Sequence, residues 1–226
     1  MSMKYLLLSD VHSNYPALDE VLSDASGYDE ILYLGDIIGI YGYPVEVVNT
    51  LQSNAQHAII GNHDYAVIHK KEGHVNDRDI SKYEYEYTWK QLNQSHISWI
   101  KSLSSYKEIN EDTIIAHAQP YPAESSGYEA GNRGVLKRNW TRVAANIPDN
   151  INFIFLGHTH EQGELNCERF GHNVHIVNPG SVGQPMGEAN YAIIDTETNE
   201  ASLHTVTYNT SELKEHLSNI VPKKWW

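Results

Sequence analysis

Cysteine is nearly absent. Cys167 is the only one in 226 residues, so the chain can build neither an internal disulfide framework nor a thiolate zinc site. Long apolar runs are missing too. Tyr5–Leu8 and Ile151–Leu156 are strand-length, well short of the roughly 20 residues that cross a bilayer. Positive charge is scarce, with Lys+Arg 16 against Asp+Glu 29, a net −13. Such a chain repels polyanions on average, which argues against duplex nucleic acid as a partner. A bound cation can still reverse the sign locally. The opening residues MSMKYLLLSD hold one Lys and four apolar residues before Ser9. That is too short for a secretory leader, and no small-residue cleavage site follows. The expectation is a cytoplasmic, reducing setting with no membrane partner.

What is present in excess is histidine. There are 13, several beside Asp, Asn or Gly instead of in apolar patterns. The composition, 40% hydrophobic and 20% charged, is globular. The length predicts a single domain over 1–226, and no repeat or linker interrupts it.

Tyr5–Leu8 reads as a buried strand running into Ser9-Asp10-Val11-His12-Ser13-Asn14. Ser13 or Asn14 can cap a helix with Pro16 in its first turn and Leu18, Val21 and Leu22 as its stripe, closed by Gly27. Ile31–Leu34 is a second strand, Pro44 opens a second helix with Val45, Val48 and Leu51, and Ala58–Ile60 is a third strand. Strand, polar loop and helix in alternation predict a parallel sheet covered by helices. Ligand sites in such sheets lie beyond the strand carboxyl ends. Val75–Leu103 has a polar helical pattern with Tyr83, Tyr87, Leu92, Ile97 and Ile100 inward. Tyr106–Ile109 and Thr113–Ala116 form a hairpin, residues 118–140 a long substrate loop, and Val135–Ala145 a short helix. Strands follow at Ile151–Leu156 and Asn173–Val177, then a hairpin at Tyr191–Asp195 and Ala201–Thr207. Ser211–Ile220 closes the fold before a tail at 221–226.

Five strand ends carry chemistry. They read Asp10-x-His12, Gly35-Asp36, Gly61-Asn62-His63-Asp64, His117 and Gly157-His158-Thr159-His160. The candidate ligands are Asp10, His12, Asp36, Asn62, His117, His158 and His160: carboxylates, an amide oxygen and imidazoles. That mixture suits first-row divalent metals such as Mn, Fe, Co, Ni or Zn. It exceeds one tetrahedral shell and suits two ions roughly 3.5–4 Å apart. Asp10 and His12, two residues apart at a strand end, can share one side, as can His158 and His160. Glycine before Asp36, Asn62 and His158 allows a sharp turn or a close approach. Asp64 is a candidate partner fixing the His63 tautomer.

In order, SDVHSN, LGDIIG, GNHD, AHAQP, GHTH and NPGSVGQP resemble the calcineurin-like metallophosphoesterase superfamily, with closest similarity to its small bacterial and archaeal phosphodiesterase branch, over residues 4–207. The resemblance implies an α/β fold: an α/β/β/α sandwich of two mixed β-sheets flanked by helices, with a dinuclear site at the strand carboxyl ends. It implies that Asp10, His12 and His160 bind one metal, that Asp36 bridges, and that Asn62, His117 and His158 hold the second. A bridging hydroxide would attack in line, with His63 assisting the leaving oxygen. The phosphoprotein phosphatases of this family carry Arg shortly after Gly-Asp and read Gly-Asn-His-Glu. Here Ile37–Pro44 contains no Arg and the fourth residue is Asp64, which argues against that branch. Ala118-Gln119-Pro120 and Met186 also depart from the closer relatives and bear on substrate preference.

The expected function is a metal-dependent phosphodiesterase acting on a small phosphorylated substrate. Dinucleoside polyphosphate hydrolase and phosphomonoesterase are the enzymatic alternatives, and a protein scaffold on the same fold is the non-enzymatic one; a homo-oligomer stays open. Arg133, Lys137, Arg138 and Arg142 are a dense basic group, either a phosphate clamp or a solvated face. Tyr83, Tyr85, Tyr87 and Trp89 read as helix packing or a subunit interface, with stacking on a base as the alternative. Asn178–Ser181 reads as a plain turn. His57, His69, His74, His96, His172, His175, His204 and His216 read as surface or packing residues.

Overall fold

Alternation of apolar side chains along short strands dictates layers, because successive residues face opposite sides of a sheet. The computed structural model describes residues 3–69, 82–120, 137–169 and 171–220. The expected helix region at 75–81, Arg133, most of the 118–140 loop and the 221–226 tail lie outside the described residues, as do the side chains of Tyr83 and Arg138.

The first sheet has strand order β10-β9-β1-β2-β3. Its members are β1 (Lys4–Leu8), β2 (Glu30–Tyr33), β3 (His57–Ala58), β9 (Glu188–Asp195) and β10 (Glu200–Thr207). The second has order β4-β5-β6-β8-β7, from β4 (Tyr106–Glu108), β5 (Thr113–Ala116), β6 (Phe153–Leu156), β7 (Gly163–Arg169) and β8 (His172–Asn178). Both are mixed. β1, β2 and β3 run parallel, as do β5, β6 and β8, while β9, β10, β4 and β7 are antiparallel to their neighbours.

Tyr5 and Leu7 meet Ile115, Phe153, Phe155 and Val177 between the sheets. Leu6 and Leu8 face the other way. They pack with helices α1 (Tyr15–Asp24), α2 (Pro44–Asn54), α3 (Asn62–His69), α5 (Gln94–Ser102) and α7 (Ser211–Ile220). α4 (Lys82–Gln91) adds Tyr85 and Trp89 to this layer. On the far face Ile114, Ile154 and Ile176 cover α6 (Trp140–Ala144), whose Trp140 is fully buried. The α/β/β/α sandwich is thus present in full.

Local signals behave as their chemistry demands. Asn14 caps α1 by accepting from the Ala17 amide, with Pro in the first turn. Asn93 and His96 form a capping box that starts α5 and splits the helical stretch. In α2, Val47 joins Val48 and Leu51 inside, whereas Val45 is half-buried. β3 is shorter than expected because Gly61 feeds directly into α3, so Asn62-His63-Asp64 opens a helix instead of ending in a loop. β7 is a strand the apolar-run criterion passes over. Its sequence GELNCER has no apolar run, only Leu165 and Cys167 two apart, packed against the α6 core. The expected 135–145 helix is a 3₁₀ turn at Lys137–Asn139 followed by the short α6.

Candidate metal centre

β1 ends at Leu8, and the chain then enters unusual backbone. Asp10 (φ 54), His12 (φ 52), Asp36 (φ 58), His158 (φ 67) and His160 (φ 58) all lie in the left-handed region. That conformation costs a residue with a Cβ about 1–2 kcal/mol. Five of the seven non-glycine residues found there among the described residues are candidate ligands. Strand alternation is therefore not what puts Asp10 and His12 side by side; a left-handed turn beyond the strand does. The turn is held by its neighbour, because the Asp10 amide donates to Gly35 O (2.9 Å) and the His12 amide to Asp36 O (2.9 Å). At the same edge Gly157 N donates to His117 O (3.0 Å) within the second sheet, and the His158 amide reaches across to Asp10 Oδ2 beyond β1 (3.0 Å). Glycine makes the closeness feasible: a Cβ on Gly61 would overlap the Asp36 carboxylate, and one on Gly157 would overlap Ser9 Oγ. Gly61→Ala is expected to cost about 1–3 kcal/mol and to weaken cation binding, as thermal melts with and without Mn²⁺ would show.

All seven candidate ligands converge. In one group His12 Nε2 is 3.2 Å from His160 Nε2, His160 Nε2 is 3.2 Å from Asp10 Oδ1, and His12 Nε2 is 3.9 Å from Asp10 Oδ1. In the other, Asn62 Oδ1 is 3.1 Å from His117 Nε2 and 2.7 Å from His158 Nδ1, and these two nitrogens are 3.2 Å apart. Asp36 Oδ2 faces both groups, 3.8 Å from His12 Nε2 and 3.4 Å from His117 Nε2. Its Oδ1 accepts from the His63 amide at 2.8 Å.

The donor set fits divalent metal ions. At metal–ligand distances of about 2.0–2.2 Å, adjacent donors in a tetrahedral or octahedral shell sit roughly 3.0–3.5 Å apart. Ring nitrogens in van der Waals range of each other gain little unless something positive lies between them. Asp10 Oδ1 is buried without a hydrogen bond, while its Oδ2 accepts from Ser9 Oγ and from the His158 amide. A carboxylate oriented through one oxygen, with the other facing only the ring nitrogens of His160 (3.2 Å) and His12 (3.9 Å), is a ligand's arrangement. His117 Nδ1 lies 2.7 Å from Leu34 O, which fixes the proton on Nδ1 and turns the Nε2 lone pair inward.

Charge states follow from surroundings. Burial opposes ionisation of Asp10 and Asp36, but the facing imidazoles outweigh it and hold Asp10 below, and Asp36 well below, the usual carboxylate range. Burial drives His12 down to about 3. Burial also pulls on His117, yet Asp36 beside it wins and lifts it to about 9. His158 is lowered by burial and by His117, and His160 is raised by Asp10 against burial.

The cation-free protein should then be most stable near pH 6.5. The His117 contribution is complete below its unfolded value of 6.5 and is lost as pH rises through about 9. His12, needed neutral, costs stability as pH falls from 6.5 towards 3. Melting curves in chelator should peak between those limits; a monotonic rise from pH 6 to 9 would contradict this.

His63 stands at the edge of both groups, its ring edge-on to His12 at 4.7 Å. The expected Asp64–His63 pairing is not formed. Asp64 is fully buried and accepts instead from the Ile38 and Gly61 amides, both at 2.9 Å, while His63 Nδ1 has no hydrogen-bond partner. The reason is helical direction: at the first turn of α3 consecutive side chains diverge by about 100°, so Asp64 turns to the backbone of the Gly35-Asp36 loop. Burial, then Asp36, pushes its carboxyl up to about 6.

Asn178–Ser181 does more than turn. Asn178 Nδ2 donates to Gly157 O (3.0 Å) and Thr159 Oγ1 (3.2 Å), its Oδ1 accepts from Gly180 N (2.9 Å), and Ser181 Oγ donates to Asp10 O (2.8 Å). Asn178 thus braces the His158–His160 loop. Asn178→Ala is expected to cost about 2–4 kcal/mol from its lost buried hydrogen bonds and to lower cation affinity, measurable by calorimetric titration. Gln162 Nε2 likewise reaches Pro179 O, Tyr191 O and His204 O. His216 stacks on Tyr43 (4.4 Å) and contacts Gly42 O at 3.0 Å, where Tyr87 also donates. Asn178 and Ser181 sit in the NPGSVGQP motif, whereas Gln162 and His216 lie in none. Lys137 lies over the Trp140 ring, 5.8 Å from its centroid, and the Tyr85–Trp89 stack is packing.

Residues 3–199 match the model of the calcineurin-like phosphoesterase superfamily domain. An uncharacterized protein of Methanocaldococcus jannaschii is 29% identical over 93% of this chain and 90% of its own length. A crystal structure of a metallophosphoesterase from Sphaerobacter thermophilus superposes with a TM-score of 0.79 at 27% identity, covering 99% of this chain and 96% of that one. A hypothetical protein from Pyrococcus horikoshii shares the fold, with a TM-score of 0.69 at 18% identity over 98% and 95% of the two chains.

Proposed function

The chain belongs to the calcineurin-like phosphoesterase superfamily, and from that membership we propose that it hydrolyses phosphodiesters in preference to monoesters, using two divalent cations. Asp10, His12 and His160 would hold one and Asn62, His117 and His158 the other, with Asp36 serving both groups. The observation that carries this reading is Asp36 Oδ2, one buried carboxylate oxygen facing a histidine from each group. When bound, the cations supply Lewis acidity: they bring the pKa of water towards neutrality and neutralise charge on the phosphoryl oxygens.

The protein's own residues do the rest. Asp10 and Asp36 stay ionised over the working pH range, and His12 stays neutral, so the donor atoms of these three residues need no prior deprotonation. His117 must shed a proton to become a ligand, so binding at its group releases one and weakens about tenfold per unit of acidification below pH 9. The strained turns are locked by backbone bonds across β1 and β2, which removes rearrangement from the binding step. His63 is held by its amide on Asp36, with its ring at the open side, where it can donate a proton to a departing alkoxide. A diester needs that donation because its leaving oxygen is poorly stabilised. The Ile37–Pro44 stretch, free of arginine, offers no bidentate clamp for a dianionic monoester.

A screen of bis-p-nitrophenyl phosphate, p-nitrophenyl phosphate and a nucleotide panel, run with each of Mn²⁺, Fe²⁺, Co²⁺, Ni²⁺ and Zn²⁺, tests the reading. The expected result is cation-dependent turnover with the diester ahead. Monoester preference would reject the substrate class, and inactivity throughout would reject the hydrolytic reading.

A further inference from the structure

A proton donor has to be aimed, yet no hydrogen bond at Nδ1 aims the His63 ring. That nitrogen is buried without a partner, and the neighbouring Asp64 carboxylate is engaged by the Ile38 and Gly61 amides. What meets the Nδ1 edge is the backbone of Gly39, which is buried and has φ 120. A Cβ at this position would lie 3.0 Å from His63 Nδ1, 3.2 Å from its Cβ and 3.4 Å from its Cγ. The ring thus leans into the space that a side chain at 39 would take. On its other side it stands edge-on to His12, at 4.7 Å and 78°.

The loop that carries Gly39 is fastened on two sides. Towards the centre, Ile38 N donates to Asp64 Oδ1 (2.9 Å), Tyr41 N to His12 O (2.9 Å) and Tyr43 N to Ser13 O (3.0 Å). Away from it, Gly42 O accepts from Tyr87 Oη of α4 at 2.9 Å and faces His216 Nε2 of α7 at 3.0 Å. With the proton on Nε2, the two lone pairs of one carbonyl serve both donors, which are themselves 3.2 Å apart. The His216 ring lies almost flat on Tyr43, with centroids 4.4 Å apart and planes at 19°. A Cβ on Gly42 would overlap His216 Cδ2, so glycine makes the contact feasible. Two helices far apart in sequence therefore converge on one backbone oxygen of this loop.

Resting on the reading of His63 as the proton donor, we propose that residues 38–43 form the seat that aims its ring, with Gly39 as the contact and Tyr87 and His216 as positioning residues that clamp the seat. The clamp grips Gly42, three residues from the contact with His63. Tyr41, between the two, is bonded to the His12 backbone, so the clamp, the ligand loop and the ring form one connected unit. Loosening the clamp lets the ring turn while the His63 amide stays on Asp36 and Asp64 stays on its two amides. A donor misplaced by about 1 Å loses on the order of a hundredfold in rate. Substrate binding does not pass through this contact, so the loss falls on kcat and leaves KM in place.

The test uses the full chain and two readouts. In cation-free protein, NMR should show an NOE between the Gly39 α-protons and the His63 ring, and this NOE should weaken in the double variant Tyr87→Phe/His216→Leu, which alters neither residue. With Mn²⁺, the double variant should keep the wild-type KM and cation content and lose about tenfold in kcat on a diester with a poor leaving group. On bis-p-nitrophenyl phosphate, whose leaving anion departs without a proton, the loss should stay below about twofold. Gly39→Ala should show the same pattern at larger size, and Tyr87→Phe alone at smaller size; returning His216 to the double variant should recover part of both readouts. An NOE of full strength in the double variant would overturn the proposal, as would a kcat loss equal on both substrates where His63→Ala separates them. If His63→Ala itself shows no contrast between leaving groups, the donor reading fails, and the NOE still decides the seat.

Discussion

Asp36→Asn is expected to empty both halves of the centre at once and to lower turnover by at least about a thousandfold. The substitution keeps the shape and the Oδ1 acceptor for the His63 amide. It removes the one charge that faces His12 and His117 together. Its effect should therefore exceed that of Asp10→Asn, whose free oxygen, Oδ1, faces the His12–His160 group alone. The cation-free variant should also lose the upward pull on His117, whose largest favourable neighbour is Asp36. Elemental analysis and an NMR titration of the His117 ring check the two consequences independently. Two cations retained by Asp36→Asn would refute the shared role, whatever happened to activity.

His63→Ala should behave in the opposite way. Cation content stays at the wild-type level, because His63 is outside the seven-ligand set, and turnover of a diester with a poor leaving group falls by about 10²–10⁴-fold. With a good leaving group such as p-nitrophenolate the loss should be much smaller, since that anion departs without a proton. The contrast between leaving groups separates proton donation from mere support of Asp36, with which His63 shares a backbone hydrogen bond. An equal loss on both substrates would assign His63 a positioning role instead.

Much of this was legible in the residues. Tyr5–Leu8, Ile31–Leu34 and Ile151–Leu156 announce buried strands because both faces of each are covered, and a strand covered on both faces must be apolar throughout. Each of these strands is followed by Asp, His or Asn, and that succession locates the centre. β7 escaped because an edge strand is covered on one face only, leaving Leu165 and Cys167 as its signal. The left-handed turns at Asp10 and His12 escaped because no local pattern calls for them; tertiary hydrogen bonds to Gly35 and Asp36 impose them. Asp64 was misplaced for a related reason. Adjacency to His63 in sequence suggested contact, but the helix begins one residue earlier, at Asn62, and sends the carboxylate to Ile38 and Gly61. Asn178 was undervalued because a buried amide bracing a loop and an exposed amide in a turn have the same sequence.

The most direct test is anomalous diffraction from crystals soaked in Mn²⁺. The account predicts two peaks roughly 3.5–4 Å apart, flanking Asp36 Oδ2, with Asp10, His12 and His160 around one and Asn62, His117 and His158 around the other. A single peak, or peaks away from Asp36, would contradict it.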